Sequence, residues 1–120
     1  MKYAVIDVGS NTVRLCVYDV LCPEKRKFKT IMNRKIMAGL AAYIVDGAFS
    51  DEGIAEAILA VKKCIKRASY LSPDRIDVFA TAVLRNISNS AQAIAAIEQG
   101  AGCTISESKL WTVTKRRGSI

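Results

Sequence analysis

The strongest constraint on the fold lies at the start of the chain, in MKYAVIDVGSNTVRLCVYDV. Tyr3, Ala4, Val5 and Ile6 form a continuous apolar run rich in β-formers, so Lys2 to Val8 reads as a buried strand. Gly9-Ser10-Asn11 is turn material, because Gly and Asn tolerate positive φ and Ser and Asn side chains bond nearby backbone. From Thr12 to Val20, Val13, Leu15 and Val17 alternate with Arg14 and Cys16, the period of a second strand. Two strands joined by so short a turn predict an antiparallel hairpin. A chain that begins this way must build a sheet and cover it.

The cover comes from the middle of the chain. Ser50 stands ahead of Asp51 and Glu52, an N-cap followed by acidic first-turn residues that suit the positive helix end. Ile54, Ile58, Val61, Ile65 and Ala68 recur at helical spacing, with Lys62, Lys63, Lys66 and Arg67 on other faces. This predicts a helix from Asp51 to Tyr70, stopped by Ser72-Pro73-Asp74. Cys22 to Lys27, with Pro23 and a charge cluster, reads as a loop, and Phe28 to Met37 as a third strand. Ala38 to Phe49, containing GLAAYIVDG, fits a short helix or an ordered loop. Ile76 to Ala80 reads as a short strand. Asn89 or Ser90 can cap a second helix through Ile94 and Ile97, ended by Gly100, before a strand from Cys103 to Ser106. This order implies α/β architecture with a mixed sheet whose first three strands meander.

At 120 residues the chain suits one domain or one lobe of a larger enzyme, and 51% hydrophobic with 24% charged residues is globular composition. The first apolar run is too short and too soon charged for a signal peptide or membrane span, so a cytoplasmic protein is expected. The formal charge of +7 draws polyanions, although for charge alone a solvated basic surface is the better reading. Cys16, Cys22, Cys64 and Cys103 form no CxxC pair, and the sequence has no His to complete a mixed zinc site. They read as reduced thiols. Without His, carboxylates are left as the bases.

Two stretches carry chemistry. In AVIDVGSNTVRL a buried strand delivers Asp7 beside a small-residue turn, where Gly9 lets backbone approach a ligand and Ser10 and Asn11 add donors. Such a turn can take a phosphoryl group, while Asp7 holds a metal or the attacking water. In DVFATAVLRNISN a strand ends in small residues ahead of Arg85 and Asn86, and strand carboxyl ends are where open α/β folds place ligands. Arg85 there suits bidentate contact with phosphate oxygens. Taken singly, the first reads more readily as a plain hairpin turn and the second, as weak a signal, as a surface arginine.

Together, DVGSNTVRL, a capped amphipathic helix and FATAVLRN at this separation resemble the exopolyphosphatase/guanosine-pentaphosphate phosphohydrolase family, over Met1 to about Ile105. The resemblance implies the first lobe of a ribonuclease-H-like (actin-like or sugar-kinase-like ATPase) fold. It also implies a magnesium-assisted phosphatase that removes the terminal phosphate of inorganic polyphosphate or guanosine pentaphosphate. By the same resemblance Asp7 would place metal or water, Gly9, Ser10 and Asn11 would form the phosphate loop, and Arg85 would bind the phosphate under attack. Thr81 and Asn86 would line the same pocket, and Arg14 would be structural or peripheral.

Residues 1–106 thus read as a phosphate-binding lobe and 107–120 as a divergent tail. Where the family carries a glutamate motif near SGEEEARL, this chain has SESKLWTVTKRRGSI, with Glu107 as its one carboxylate. With one choice of synonymous codons, TVTKRRGSI read in a shifted frame gives GDEEARLD, so a frameshifted tail is expected; sequencing the coding DNA tests it. Lacking that glutamate and an opposing lobe, the chain is expected to be inactive or nearly so, and an exposed lobe face to favour self-association. The competing readings are an actin-like or sugar-kinase-like ATP-binding lobe and a non-catalytic polyanion-binding module. With 7% aromatics and no nucleic-acid motif, nucleic acid is the weakest partner, and no membrane partner is expected.

Overall fold

Strand β1 (Lys2–Val8) pairs antiparallel with β2 (Val13–Cys22), register Val8 to Val13 and Lys2 to Asp19, as the sequence predicts. This is a computed structural model, and it describes residues 1–25, 27–80, 84 and 86–107. Along β2, Val13, Leu15 and Val17 are fully buried while Arg14, Cys16 and Tyr18 are half-buried, so the pleat sorts the side chains. A one-turn 3₁₀ helix, Pro23–Lys25, leads to β3 (Lys27–Ile36), which pairs antiparallel with β2 and forms a sheet edge.

The stretch the sequence left open, Ala38 to Phe49, is a 3₁₀ turn (Leu40–Tyr43) followed by a two-stranded ribbon, β4 (Ile44–Val45) and β5 (Ala48–Phe49). Asp46 and Gly47 close the ribbon with φ of 52° and 79°, the positive signs of a tight Asp-Gly hairpin turn. Ser50 then caps α1 (Asp51–Ser69), its Oγ accepting from Gly53 N–H at 3.1 Å. The helix ends one residue short of the expected Tyr70, which is its C-cap.

Strand β6 (Arg75–Ala80) runs parallel to β1, register Tyr3 to Arg75 and Val8 to Ala80. Helix α2 (Ser90–Ala101) follows, and β7 (Ile105–Glu107) pairs parallel with β6. Gly100 does not end α2. It lies inside the helix, and Gly102, at φ 72°, is the C-cap. Gly100 is where the two helices meet: a Cβ there would stand 2.6 Å from Ile58 Cδ1. The last strand starts later than expected because Cys103 N–H still bonds the Glu98 carbonyl, while the Glu98 carboxylate accepts from Ile105 N–H at 2.7 Å.

The sheet order is β3-β2-β1-β6-β7, with the first three strands meandering and the last two parallel to β1. Both helices share one buried cluster with Ala4, Ile6, Val8, Val13, Leu15 and Val17 of the central hairpin. Alternation on the first two strands thus dictates which face the helices cover. The four cysteines are free thiols, and no described helix is long and apolar enough to cross a membrane.

Candidate functional site

Parallel pairing brings the carboxyl ends of three strands to one level: Val8 of β1 and Ala80 of β6 are in register, and Ala80 is in register with Glu107 of β7. The two stretches singled out in the sequence leave from this edge. Asp7 is exposed one residue before it, between Arg14 of β2 and Phe79 of β6 in the strand register.

The turn after β1 is tight, with Gly9 N–H donating to the Thr12 carbonyl at 2.9 Å. Its next two carbonyls point into the protein's own backbone: Ser10 C=O accepts from Ala41 N–H at 2.8 Å and Asn11 C=O from Gly39 N–H at 2.9 Å. Gly39 adopts φ 59°, a left-handed conformation that glycine accepts without steric cost. Among the described residues, the N–H groups and side chains of Ser10 and Asn11 have no hydrogen-bond partner, and both residues are exposed. Ser10 and Asn11 therefore have their main-chain carbonyls engaged and their main-chain amides open, a local polarity that suits an anion.

Past β6, Leu84 and Ile87 are buried and Asn86 is exposed. The ribbon grips the two residues after Ile87: Ser88 N–H donates to the Gly47 carbonyl at 2.8 Å, and Asn89 bonds both main-chain groups of Phe49. Asn89 stands at the N-cap of α2, but its side chain makes no cap bond there, while Ser90 Oγ donates to the Leu84 carbonyl at 2.5 Å. The expected cap therefore does another job, because the main chain of buried Phe49 has a stronger claim on the amide than a helix end that water can reach.

Of the expected site residues, Asp7, Gly9, Ser10 and Asn11 gather at the end of β1, and Asn86 lies in the segment that the ribbon holds. Thr81 and Arg85 lie outside the described residues, as does the tail from residue 108. Arg14 is tied sideways, its Nη1 donating to Asn33 Oδ1 of β3 at 2.9 Å, in keeping with a structural role. Sequence reasoning missed Gly39, Ala41 and Asn89, which position the turn and the second segment. A lone glycine in the apolar stretch AGLAAY and the Asp46-Gly47 pair were the available signals.

Among the described residues no three carboxylates or thiols come together. Asp7 is a carboxylate at this edge, and magnesium is commonly held by one or two carboxylates, waters and substrate phosphates rather than by an all-protein cage.

Residues 21–106 match the sequence profile of the Ppx/GppA phosphatase family. The fold is similar to that of a Ppx/GppA phosphatase from Aquifex aeolicus, TM-score 0.77 and 24% identity over 88% of this chain and 34% of that one. It is equally similar to an exopolyphosphatase from Cytophaga hutchinsonii, TM-score 0.78 and 24% identity over 89% of this chain and 34% of that one. No curated protein matches the sequence. The chain thus spans about a third of the length of these structures. At such identity they speak for the fold, an actin-like ATPase lobe, and the profile speaks for the family.

Proposed function

Since the chain belongs to the Ppx/GppA phosphatase family, we propose that it is the phosphate-binding lobe of a phosphohydrolase that removes the terminal phosphate of inorganic polyphosphate or guanosine pentaphosphate. One observation carries the reading: Ser10 and Asn11 of the turn direct their carbonyls inward and leave their amides open at the strand edge from which β6 also exits.

In this reading the amides of Ser10 and Asn11 hold the oxygens of the terminal phosphate, and the Asn11 side chain adds a donor. Asp7, exposed at the end of β1, accepts a hydrogen bond from the attacking water and orients it for in-line displacement. Arg85 and Thr81 meet the same phosphate from the segment after β6, with Asn86 beside them. Negative charge building on the equatorial oxygens is met by donors already fixed in place, which is where most of the acceleration of such a transfer comes from. Magnesium held at Asp7 would neutralise the phosphoanhydride oxygens. The 120 residues alone would bind substrate and turn it over poorly, because a family catalytic glutamate and an opposing lobe are expected elsewhere.

The test is polyphosphate binding and phosphate release with magnesium, comparing the parent with Arg85→Ala and Asn11→Ala. Binding weakened roughly tenfold by each substitution, with little release by the parent, is the expected result. Binding that ignores both substitutions would remove the assignment, and rapid release by the parent would show that the base lies within these residues.

A further inference from the structure

A second basic feature lies apart from the turn. Between β3 and α1 opens a groove of about 450 Å³, floored by the buried Leu15 and Cys64. Arg34 and Lys35 line it from the strand, and Lys63, Lys66 and Arg67 from the helix. All five are exposed, and no carboxylate lines the groove. Among the described residues the ion pairs are Met1 with Asp19 and Arg75 with Asp77, so none of the five has an ion-pair partner among them.

Two ordinary explanations cover parts of this pattern. Lys66 and Arg67 complement the negative end of α1, and charges on β3 discourage pairing at a sheet edge. Neither explains the convergence. Arg34 is in register with the fully buried Leu15, which puts it on the helix-covered face, toward Lys63 and Arg67. Lys63 and Arg67 are four residues apart on one helix face, a like-charge spacing that destabilises a helix. Arg34, Lys63, Lys66 and Arg67 around one slot repel each other unless an anion joins them, whereas Lys35, in register with Arg14, has its side chain on the opposite face of the sheet.

We propose that this groove binds an extended phosphoanhydride chain, as a second anion site for the substrate class proposed for the turn, on which reading it rests. The groove is a slot between a helix and a strand rather than a flat basic face, so it suits a bare chain of phosphates without bases. Tyr70 is the single aromatic residue on its wall, too few for the serial stacking that single-stranded nucleic acid uses. It starts beside the turn: Ile36, at its upper end, pairs with Val13, the first residue of β2 after Gly9–Thr12. A long substrate gripped at its end by the turn therefore has a cationic track available for the units behind.

The experiment is a binding titration of the full chain with long-chain inorganic polyphosphate over a range of salt. The groove variant Lys63→Gln/Lys66→Gln/Arg67→Gln keeps good helix formers, and Arg34→Gln is a second, strand-side variant. The control Lys27→Gln/Lys29→Gln/Lys62→Gln removes three charges, as many as the helix-side variant, from residues outside the groove. Each groove variant should weaken binding roughly tenfold or more and flatten its salt dependence, with the control near the parent. Equal losses in groove and control variants would overturn the proposal in favour of diffuse charge. A single-stranded oligonucleotide that binds as tightly and shows the same groove sensitivity would also overturn it, marking a nucleic-acid surface. Competition by guanosine triphosphate would support the site and identify nucleotides as the source of the phosphate chain; its failure to compete would assign inorganic polyphosphate. Asp7→Asn/Asn11→Ala separates the two readings: groove-dependent binding that survives it leaves the groove standing even if the turn assignment falls.

Discussion

Asn89 closes both ends of its amide on a single residue forty positions away: Oδ1 accepts from Phe49 N–H at 2.8 Å and Nδ2 donates to the Phe49 carbonyl at 2.9 Å. The pair welds the segment after β6 to the ribbon. Asn89→Ala strands two part-buried main-chain groups at once and should cost about 2 kcal/mol or more. Ser88 reaches Gly47 through its own backbone, so Ser88→Ala should stay within about 0.5 kcal/mol. Urea unfolding midpoints compare the two, and equal values would remove the weld.

Two glycines that look alike in sequence should respond differently. A Cβ on Gly53 would lie 2.5 Å from both Phe49 Cε1 and Tyr43 Cβ, and a β-carbon cannot swing away. Gly53→Ala should therefore destabilise by roughly 1–3 kcal/mol through overpacking. At Gly100 the clash is with the end of the Ile58 side chain, which can change rotamer, so Gly100→Ala should be milder and partly offset by better helix propensity. Thermal unfolding of both variants checks the order.

Gly39 makes a third contrast. Nothing lies within 4 Å of the Cβ it lacks, so only its φ of 59° opposes a side chain. Gly39→Ala should cost about 1 kcal/mol, and Gly39→Asn less, because asparagine tolerates the left-handed region. Because Gly39 N–H holds the Asn11 carbonyl, the alanine variant should also loosen phosphate binding at the turn, read by the same titration.

High pH should destabilise the chain in a defined window. Burial raises the Cys64 thiol from 9.0 to about 11, with Arg67 offsetting a part. Burial and the neighbouring Cys16 raise the Tyr18 hydroxyl from 10.0 to about 12. Below pH 9 both groups are protonated in the folded and unfolded chain alike, and their stabilisation is complete. Above it the unfolded chain gives up the Cys64 proton first, so stability falls until the folded thiol also titrates near 11. Cys64→Ala should remove roughly 2 kcal/mol of that loss, seen as a flatter stability profile between pH 9 and 11.

The parts legible in the sequence are those whose signal is local. The hairpin of β1 and β2 announces itself by alternation, and α1 by its cap, period and Ser72-Pro73-Asp74 stop. A two-residue strand has no period to detect, so the ribbon escapes a sequence reading, although Asp46-Gly47 marks its turn. Asn89 reads as a cap because its neighbours in sequence give no hint of Phe49. The location of Asp7, Gly9, Ser10 and Asn11 at a strand end is readable. What fixes the turn is not, since main-chain bonds to Gly39 and Ala41 leave no mark on side-chain identity.

The stretch from Gly39 to Phe49 touches the turn with one end and the Ser88–Asn89 segment with the other. Such a strut works in both directions, because whatever immobilises one of its ends must, by reciprocity, slow the opening of the other. Amide protons at Gly39, Ala41 and Phe49 thereby become built-in reporters of occupancy, exchanging more slowly with solvent when an anion sits on the turn, although each is already bonded within the protein.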